Sequence, residues 1–214
     1  MNKKIIGIIG RGFVGNAVAH GFSQAVGYDA ETLIYDKDPL KSQNSLQEIV
    51  EKSEIVFISV PTPSNDDGSI NLDTLEACLD EISFEAEKNN AYDSIYLIRS
   101  TVVPGTTEKL QRSFSKLKIV FNPEFLTERS ALFDFISQTR IVLGGDKENV
   151  DKVKALYQHR FGKNLSFIEA KIDFPEEDLP EENLNKIKKD CLEVTNEINR
   201  ILNDQKVGEI IREG

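Results

Sequence analysis

Three glycines near the amino terminus, Gly10, Gly12 and Gly15, have the spacing of a phosphate-binding turn. They follow a short apolar run and open a helical pattern, which is the context that such a turn requires. Gly10 permits the tight turn, Gly12 lets the backbone approach a pyrophosphate, and Gly15 lets helix and strand pack closely. The helix that begins there, with Phe13 and Val14 in its first turn, offers free N–H groups to the phosphates. The segment therefore predicts a dinucleotide site.

An acid at the end of the second apolar run indicates which dinucleotide binds. Asp36 comes about 20 residues after the last glycine, where a carboxylate accepts hydrogen bonds from a ribose diol and repels a 2′-phosphate. This favours NAD over NADP. Lys37 and Lys41 lie close to Asp36 in the sequence, and their positive charge argues in the opposite direction.

Three further segments interrupt apolar runs with proline or small polar residues. Any one of them alone would be an ordinary turn. Because the carboxyl ends of parallel strands meet at one edge of a sheet, three such segments together predict walls of one ligand site. The segments are Val60-Pro61-Thr62-Pro63, residues 100–107 beginning with Ser100 and Thr101, and residues 122–128.

Short apolar runs alternate with amphipathic stretches through the first two thirds of the chain. This alternation predicts an α/β fold with a Rossmann-type, doubly wound parallel sheet over residues 1–145. The predicted strands are residues 4–9, 32–35, 55–60, 94–98, 117–121 and 140–143, and the predicted helices are residues 14–26, 72–87 and 107–114.

The sequence changes character after residue 145, and residues 146–214 are expected to form an acidic linker and a helical extension. A helix is predicted over residues 147–161 and a short strand over 165–168, before an acidic run at 173–182. Apolar residues then recur at steps of three and four from Leu184 to Ile201. This seam is shorter than three heptads, so packing onto the chain's own domain and pairing with a second copy both remain open. We expect the homodimer.

Composition argues against several classes of partner. The chain has 214 residues, 36 acidic and 26 basic, for a formal charge of −10, which argues against a surface for nucleic acid or anionic membranes. No apolar run approaches the roughly 18 residues of a membrane span, and the amino terminus is typical of a first strand rather than a signal peptide. Cys78 and Cys191 are far apart and have no ligand-like neighbours. We therefore expect no disulfide framework, no metal site and a cytoplasmic protein.

The motifs taken together resemble the N-terminal, NAD-binding part of the UDP-glucose/GDP-mannose dehydrogenase family. The matching pieces are GRGFVG, VPTP followed by DGSINLDTL, STVVPGTT, and NPEFLTERSALFDF leading into RIVLGG. Members of that family oxidise the C6 hydroxymethyl group of a nucleotide sugar to a carboxylate in two NAD-dependent steps. The resemblance therefore implies NAD as cofactor and a nucleotide sugar as substrate.

The resemblance also implies roles for single residues. Thr101 helps to place a catalytic water or the substrate hydroxyl, and Glu124 is an acid/base near the sugar C6. Glu128 lies near both cofactor and substrate, although Arg129 follows it where the family usually has glycine. The cofactor is expected on the glycine turn and on Asp36, Lys41, Val60, Pro61, Thr62, Ser100 and Thr101, and the substrate on Glu124, Phe125, Leu126 and Glu128.

Beyond residue 145 the chain departs from the family pattern. The family has a catalytic lysine followed four residues later by asparagine; here Lys186 would be the lysine, with Asp190 in place of asparagine. A solvated helix face is the alternative for this segment. The family's thiol nucleophile and second Rossmann-like domain would follow later than Gly214, and we expect both Cys78 and Cys191 to be core residues.

Two functions are consistent with these observations. The first is a nucleotide-sugar dehydrogenase, either limited to the oxidation of alcohol to aldehyde or completed by a partner chain. The second is a non-catalytic NAD(H)-binding module. A dehydrogenase of the β-hydroxyacid type is disfavoured by VPTP and NPEFL.

Overall fold

The structure, a computed structural model, describes residues 3–162 and 165–170. Strands and helices alternate along these residues, and one 3₁₀ turn, Gln24–Val26, follows the first helix. The strands are β1 (Ile5–Ile9), β2 (Glu31–Tyr35), β3 (Ile55–Ile58), β4 (Ile95–Ile98), β5 (Lys118–Phe121), β6 (Arg140–Gly145) and β7 (Ser166–Ala170). The helices are α1 (Phe13–Gly21), α2 (Leu46–Lys52), α3 (Asp73–Asn89), α4 (Thr106–Ser113), α5 (Ala131–Ser137) and α6 (Lys147–Phe161).

The strands form one sheet in the order β2-β1-β3-β4-β5-β6-β7. All neighbouring pairs are parallel except β5 and β6, where Phe121 lies opposite Gly144. The Rossmann-type α/β prediction is confirmed, with one antiparallel pair that the alternation of elements did not indicate. The chain passes from β5 to β6 on a helix of seven residues, about 10 Å long, and β6 starts beyond the carboxyl end of β5.

Side chains of successive strand residues point to opposite sides of the sheet. In this sheet the residues on both sides are mainly apolar, and a core cluster covers each face. Ile8 of β1 belongs to a core cluster on one face, and its neighbour Ile9 belongs to a second cluster on the other. The first cluster is rich in aromatic side chains, with Phe22 near the rings of Phe57 and Phe135. The second consists mainly of aliphatic side chains. This two-sided core fixes the sheet and leaves its carboxyl edge free to carry a site.

Helix α1 ends earlier than the sequence predicts, at Gly21 instead of residue 26. A Cβ atom on Gly21 would overlap the ring of Phe135, so this end of α1 packs directly on α5. The Ser23 hydroxyl then donates to the carbonyl of His20 over 2.7 Å, and the chain turns into the 3₁₀ segment. Two short helices, α2 and α5, are absent from the prediction.

Residues after 145 continue the same sheet. Helix α6 occupies the predicted range, and β7 pairs with β6 in parallel. The division at residue 145 stays a prediction, because most of residues 146–214 lie outside the described residues. These undescribed residues include the acidic run at 173–182, the seam at 184–201, Lys186 and Cys191. No helix in the described part of the chain is both long and apolar enough to cross a membrane.

Candidate functional site

A cleft of about 640 Å³ lies at the carboxyl edge of the sheet. It is formed where the chain leaves β1, β2, β3, β4 and β5, which is where a Rossmann-type sheet binds ligands. Most of the predicted cofactor residues and one predicted catalytic acid contribute to its wall: Gly10, Gly12, Phe13, Val14, Asp36, Lys41, Val60, Pro61, Thr62, Ser100, Thr101 and Glu124.

The glycine turn at one end of the cleft needs its glycines for different reasons. Gly10 has φ +89°, and a Cβ atom there would lie 2.6 Å from the carbonyl oxygen of Ser59. A Cβ atom on Gly15 would overlap the carbonyl oxygen of Gly10, so Gly15 supports the turn from behind the cleft. A Cβ atom on Gly12 would meet no protein atom within 4 Å, because this residue faces the open cleft. Helix α1 begins here with no side chain capping its free N–H groups.

Asp36 is held in place by the backbone on both sides. Its Oδ2 accepts a hydrogen bond from the Arg11 N–H over 2.6 Å, and its Oδ1 accepts one from the Asp38 N–H over 2.8 Å. Burial by itself would raise the pKa of this carboxyl group, but the two hydrogen bonds, with Lys41 and Arg11 nearby, lower the pKa on balance. Asp36 is therefore an oriented, ionised acceptor at the end of β2.

The two lysines beside Asp36 each have an acidic partner. Lys37 Nζ lies 3.4 Å from Glu81, and Lys41 Nζ lies 3.9 Å from Asp38. The Arg11 guanidinium donates to the Lys41 carbonyl over 3.1 Å, which joins the glycine turn to the loop after β2. These pairs offset the positive charge that could otherwise attract a 2′-phosphate to this part of the cleft.

The loops after β3 and β4 are joined by two hydrogen bonds in opposite directions. The Ser100 hydroxyl donates to the Val60 carbonyl over 2.6 Å. The Thr62 hydroxyl donates to the Thr101 carbonyl over 2.8 Å. The two predicted cofactor loops therefore form one continuous wall, with the Thr101 side chain exposed at its surface.

Glu124 is half-buried in the loop after β5. Its Oε2 accepts a hydrogen bond from the Leu126 N–H over 2.6 Å, and no hydrogen bond to Oε1 is present among the described residues. The carboxylate is thus oriented by the backbone, while one oxygen is available to a ligand.

Within the described part of the chain, four predicted site residues are not in the cleft wall: Gly15, Phe125, Leu126 and Glu128. Phe125 is 71% exposed, Leu126 packs against the aromatic core cluster, and Glu128 is exposed. Lys186 lies outside the described residues. Their contacts with cofactor or substrate stay predictions.

Residues of α3 and the residue after β4 line the cleft without having been predicted. Thr74, Cys78 and Glu81 all come from α3, and their spacing of four and three residues places them on one helix face. That spacing was visible in the sequence. Cys78 is buried in the aliphatic cluster, as predicted, and burial raises the pKa of its thiol to about 12. Arg99, which directly follows β4, also lines the cleft and was not predicted.

Comparison with known proteins agrees with this geometry. Residues 30–161 match the family model described as the UDP-glucose/GDP-mannose dehydrogenase family, NAD binding domain. UDP-glucose 6-dehydrogenase AglM of Haloferax volcanii is 31% identical over 180 residues, which cover 67% of this chain and 41% of the relative. The putative UDP-glucose 6-dehydrogenase YtcA of Bacillus subtilis is 32% identical over 130 residues, which cover 56% of this chain and 29% of the relative.

Solved structures show the same fold. A UDP-glucose dehydrogenase from Pyrobaculum islandicum superimposes with a TM-score of 0.69 at 25% identity, over 79% of this chain and 46% of that protein. A GDP-mannose dehydrogenase from Pseudomonas aeruginosa superimposes with a TM-score of 0.66 at 23% identity, over 89% of this chain and 50% of that protein. The chain thus spans half or less of the length of these similar proteins.

Proposed function

Because the chain belongs to the UDP-glucose/GDP-mannose dehydrogenase family and carries its NAD-binding domain, we propose that it oxidises the C6 hydroxyl of a nucleotide sugar with NAD. The observation that carries this proposal is a single cleft that contains both sets of residues the reaction needs. The glycine turn and Asp36 form one end of it, and Thr101 and Glu124 belong to the same wall.

The residues at the glycine-turn end fit a dinucleotide. Gly12 leaves open space where a pyrophosphate would approach, and the first turn of α1 offers uncapped N–H groups to it. Asp36 is already oriented to accept hydrogen bonds from a ribose diol. The volume of about 640 Å³ is within the range of cofactor sites. When NAD⁺ is bound, its nicotinamide ring supplies the acceptor for a hydride.

The chain's own residues then control the proton. A hydroxyl carbon can release a hydride only as its O–H proton leaves, so a base must lie within hydrogen-bond reach. Glu124 Oε1 takes this proton, either directly or through a water that Thr101 orients. The alcohol loses one proton and one hydride and becomes an aldehyde. Phe125, Leu126 and Glu128 border the sugar, and Lys186 stabilises the developing alkoxide.

One observation favours the narrower alternative, a non-catalytic NAD(H)-binding module or a subunit completed by a partner chain. Oxidation of the aldehyde to the acid through a covalent intermediate needs a reactive thiolate. Within residues 3–162 and 165–170 the thiol present is Cys78, which is buried and has its pKa raised to about 12. The first oxidation needs no thiol, and the proposal for this chain is made for that step. Pairing of two copies through residues 184–201 and a cytosolic location belong to the same proposal.

The test is an assay of the purified full-length chain with NAD and a panel of UDP- and GDP-sugars, followed by NADH absorbance. We expect turnover with at least one sugar, and loss of turnover with unchanged NAD affinity in Glu124→Gln. The matched control is Glu87→Gln, which removes an exposed carboxylate that pairs with Lys116 and is not part of the cleft wall. NAD binding without turnover on any sugar would overturn the dehydrogenase and support the binding module.

A further inference from the structure

Arg99 is a buried cation with no acidic partner in the described part of the chain. The residue is 2% exposed, and its Nε has no hydrogen-bond partner. Its guanidinium carbon lies 6.0 Å from the centre of the Phe57 ring and 5.7 Å from that of Phe135. Cation–π attraction to the two rings offsets part of the cost of burying an unpaired charge, whereas an apolar side chain between these rings would carry no such cost. Stability alone therefore does not explain an arginine here.

The guanidinium donates to two polar groups, the side-chain amide of Asn122 and, over a longer 3.3 Å, the hydroxyl of Tyr157. Arg99 Nη1 donates to Asn122 Oδ1 over 2.8 Å, and the Tyr157 hydroxyl donates to the same oxygen over 2.6 Å. Asn122 Nδ2 donates to the Val142 carbonyl over 3.0 Å. The Asn122 side chain is thus fixed from β4, from α6 and from β6. Burial raises the pKa of the Tyr157 phenol, so this hydroxyl remains a donor at neutral pH.

The hydrogen bond between Arg99 and Asn122 lies at equivalent positions at the ends of β4 and β5. Arg99 directly follows β4, and Asn122 directly follows β5. Thr101 comes two residues after Arg99, and Glu124 comes two residues after Asn122. The hydrogen bond therefore joins the two chain segments at the point where each leaves the sheet, two residues before a predicted catalytic side chain.

We propose that Arg99 is a positioning residue that fixes the placement of Glu124 relative to Thr101 through its hydrogen bond to Asn122. The catalytic meaning of that placement rests on the proposed function, while the placement itself does not. A charged donor makes a stronger hydrogen bond than a neutral one, and the planar guanidinium restricts its direction. Both properties suit a fixed link between two loops better than a flexible or neutral side chain does.

The test compares three variants of the full-length chain. Arg99→Met keeps the side-chain length between the Phe57 and Phe135 rings and removes the link between β4 and β5. Tyr157→Phe removes the other donor to the same Asn122 oxygen and the longer contact of Arg99 with the hydroxyl, and it keeps the 2.8 Å hydrogen bond between Arg99 and Asn122. Arg99→Lys keeps a charged donor. The primary readouts are the carboxyl ¹³C signal of Glu124, assigned with Glu124→Gln, and the methyl signal of Thr101, since neither depends on turnover.

We expect both signals to move and broaden in Arg99→Met, to return towards their original positions in Arg99→Lys, and to remain in place in Tyr157→Phe. Unchanged signals in a folded Arg99→Met chain would overturn the proposal. Equal changes in Arg99→Met and Tyr157→Phe would also overturn it, because they would show a general response of the aromatic core. Circular dichroism establishes that each variant is folded.

Kinetics separate this inference from the function on which it rests. If the wild-type chain turns over a sugar, Arg99→Met should lower kcat by about 100-fold, the usual effect of an ångström-scale misplacement, with little change in the KM for NAD. A loss confined to the KM for NAD would contradict a positioning role. If the wild-type chain turns over no sugar, the proposed dehydrogenase activity is wrong, and the NMR signals of Glu124 and Thr101 alone test the positioning role of Arg99.

Discussion

The backbone N–H of Arg11 donates a 2.6 Å hydrogen bond to the carboxylate of Asp36, which joins the glycine turn to the end of the second strand. The two halves of the predicted dinucleotide signature are therefore in direct contact. One carboxylate both stabilises the turn and orients an acceptor towards the cleft. Substitution of Asp36 should consequently affect ligand affinity and stability together.

Asp36→Asn should weaken NAD binding by about 10-fold or more, since hydrogen bonds to charged groups contribute roughly 1.5–3 kcal/mol. The amide also removes the repulsion of a 2′-phosphate, so the ratio of NAD to NADP affinity should fall. Titration calorimetry with both cofactors measures each effect. Asp93→Asn is the matched control, because Asp93 is not part of the cleft wall and pairs with Lys118 at 3.6 Å. An equal loss in both variants would contradict a ribose contact by Asp36.

The lowered pKa of Asp36 predicts how its contribution to stability depends on pH. The pKa in the folded chain lies below the value of about 3.9 in an unfolded chain. Ionised Asp36 therefore stabilises the fold fully above about pH 4, and this contribution is lost as the pH falls through the lower, folded-state value. The difference in free energy of unfolding between wild type and Asp36→Asn should be largest near pH 7 and shrink below pH 4. Urea titrations at several pH values measure it, and a pH-independent difference would indicate packing instead of charge.

Gly12→Ala and Gly15→Ala should separate binding from stability. A methyl group on Gly15 overlaps the Gly10 carbonyl, so Gly15→Ala should lower the free energy of unfolding by about 1–3 kcal/mol, as in other overpacked sites. A methyl group on Gly12 points into the cleft, so Gly12→Ala should keep its melting temperature and lose NAD affinity. Thermal unfolding and calorimetry on the two variants provide the comparison. A stable Gly15→Ala chain, or full NAD affinity in Gly12→Ala, would be inconsistent with this turn.

Cys78 should be unreactive in the folded chain. With a pKa of about 12, its thiolate fraction at pH 8 is on the order of 10⁻⁴. In Cys191→Ser, Cys78 is the remaining one of the two cysteines, so a thiol reagent reports on it alone. We expect no labelling of the native variant and complete labelling in denaturant. Rapid stoichiometric labelling of the native chain would contradict this expectation and make Cys78 a candidate nucleophile.

Much of the fold could be predicted because buried parallel strands and long helices leave strong periodic patterns. The range of α6 was predicted without error, and β1, β2, β4 and β5 were each found to within a residue of their ends. Helix α2 was missed although Ser45 and Glu48 form a capping box at its start, a signal that the sequence contains. Helix α5 has seven residues, too few for a periodic pattern to stand out.

The candidate site was predictable where it depends on a local motif and not where it depends on packing. The glycine turn and Asp36 are recognisable because each residue has its own steric or charge requirement. Arg99 gave no such signal, since its partners Asn122 and Tyr157 lie 23 and 58 residues further along the chain. Only the three-dimensional arrangement of strand ends brings these side chains together.

The reciprocal hydrogen bonds between Ser100 and Val60 and between Thr62 and Thr101 have a dynamic consequence. Since each loop donates to the backbone of the other, neither can swing outwards by itself without breaking both bonds. A dinucleotide that enters the cleft therefore meets two coupled loops at this side, and a movement that shifts both together keeps the hydrogen bonds that a movement of one loop alone would lose.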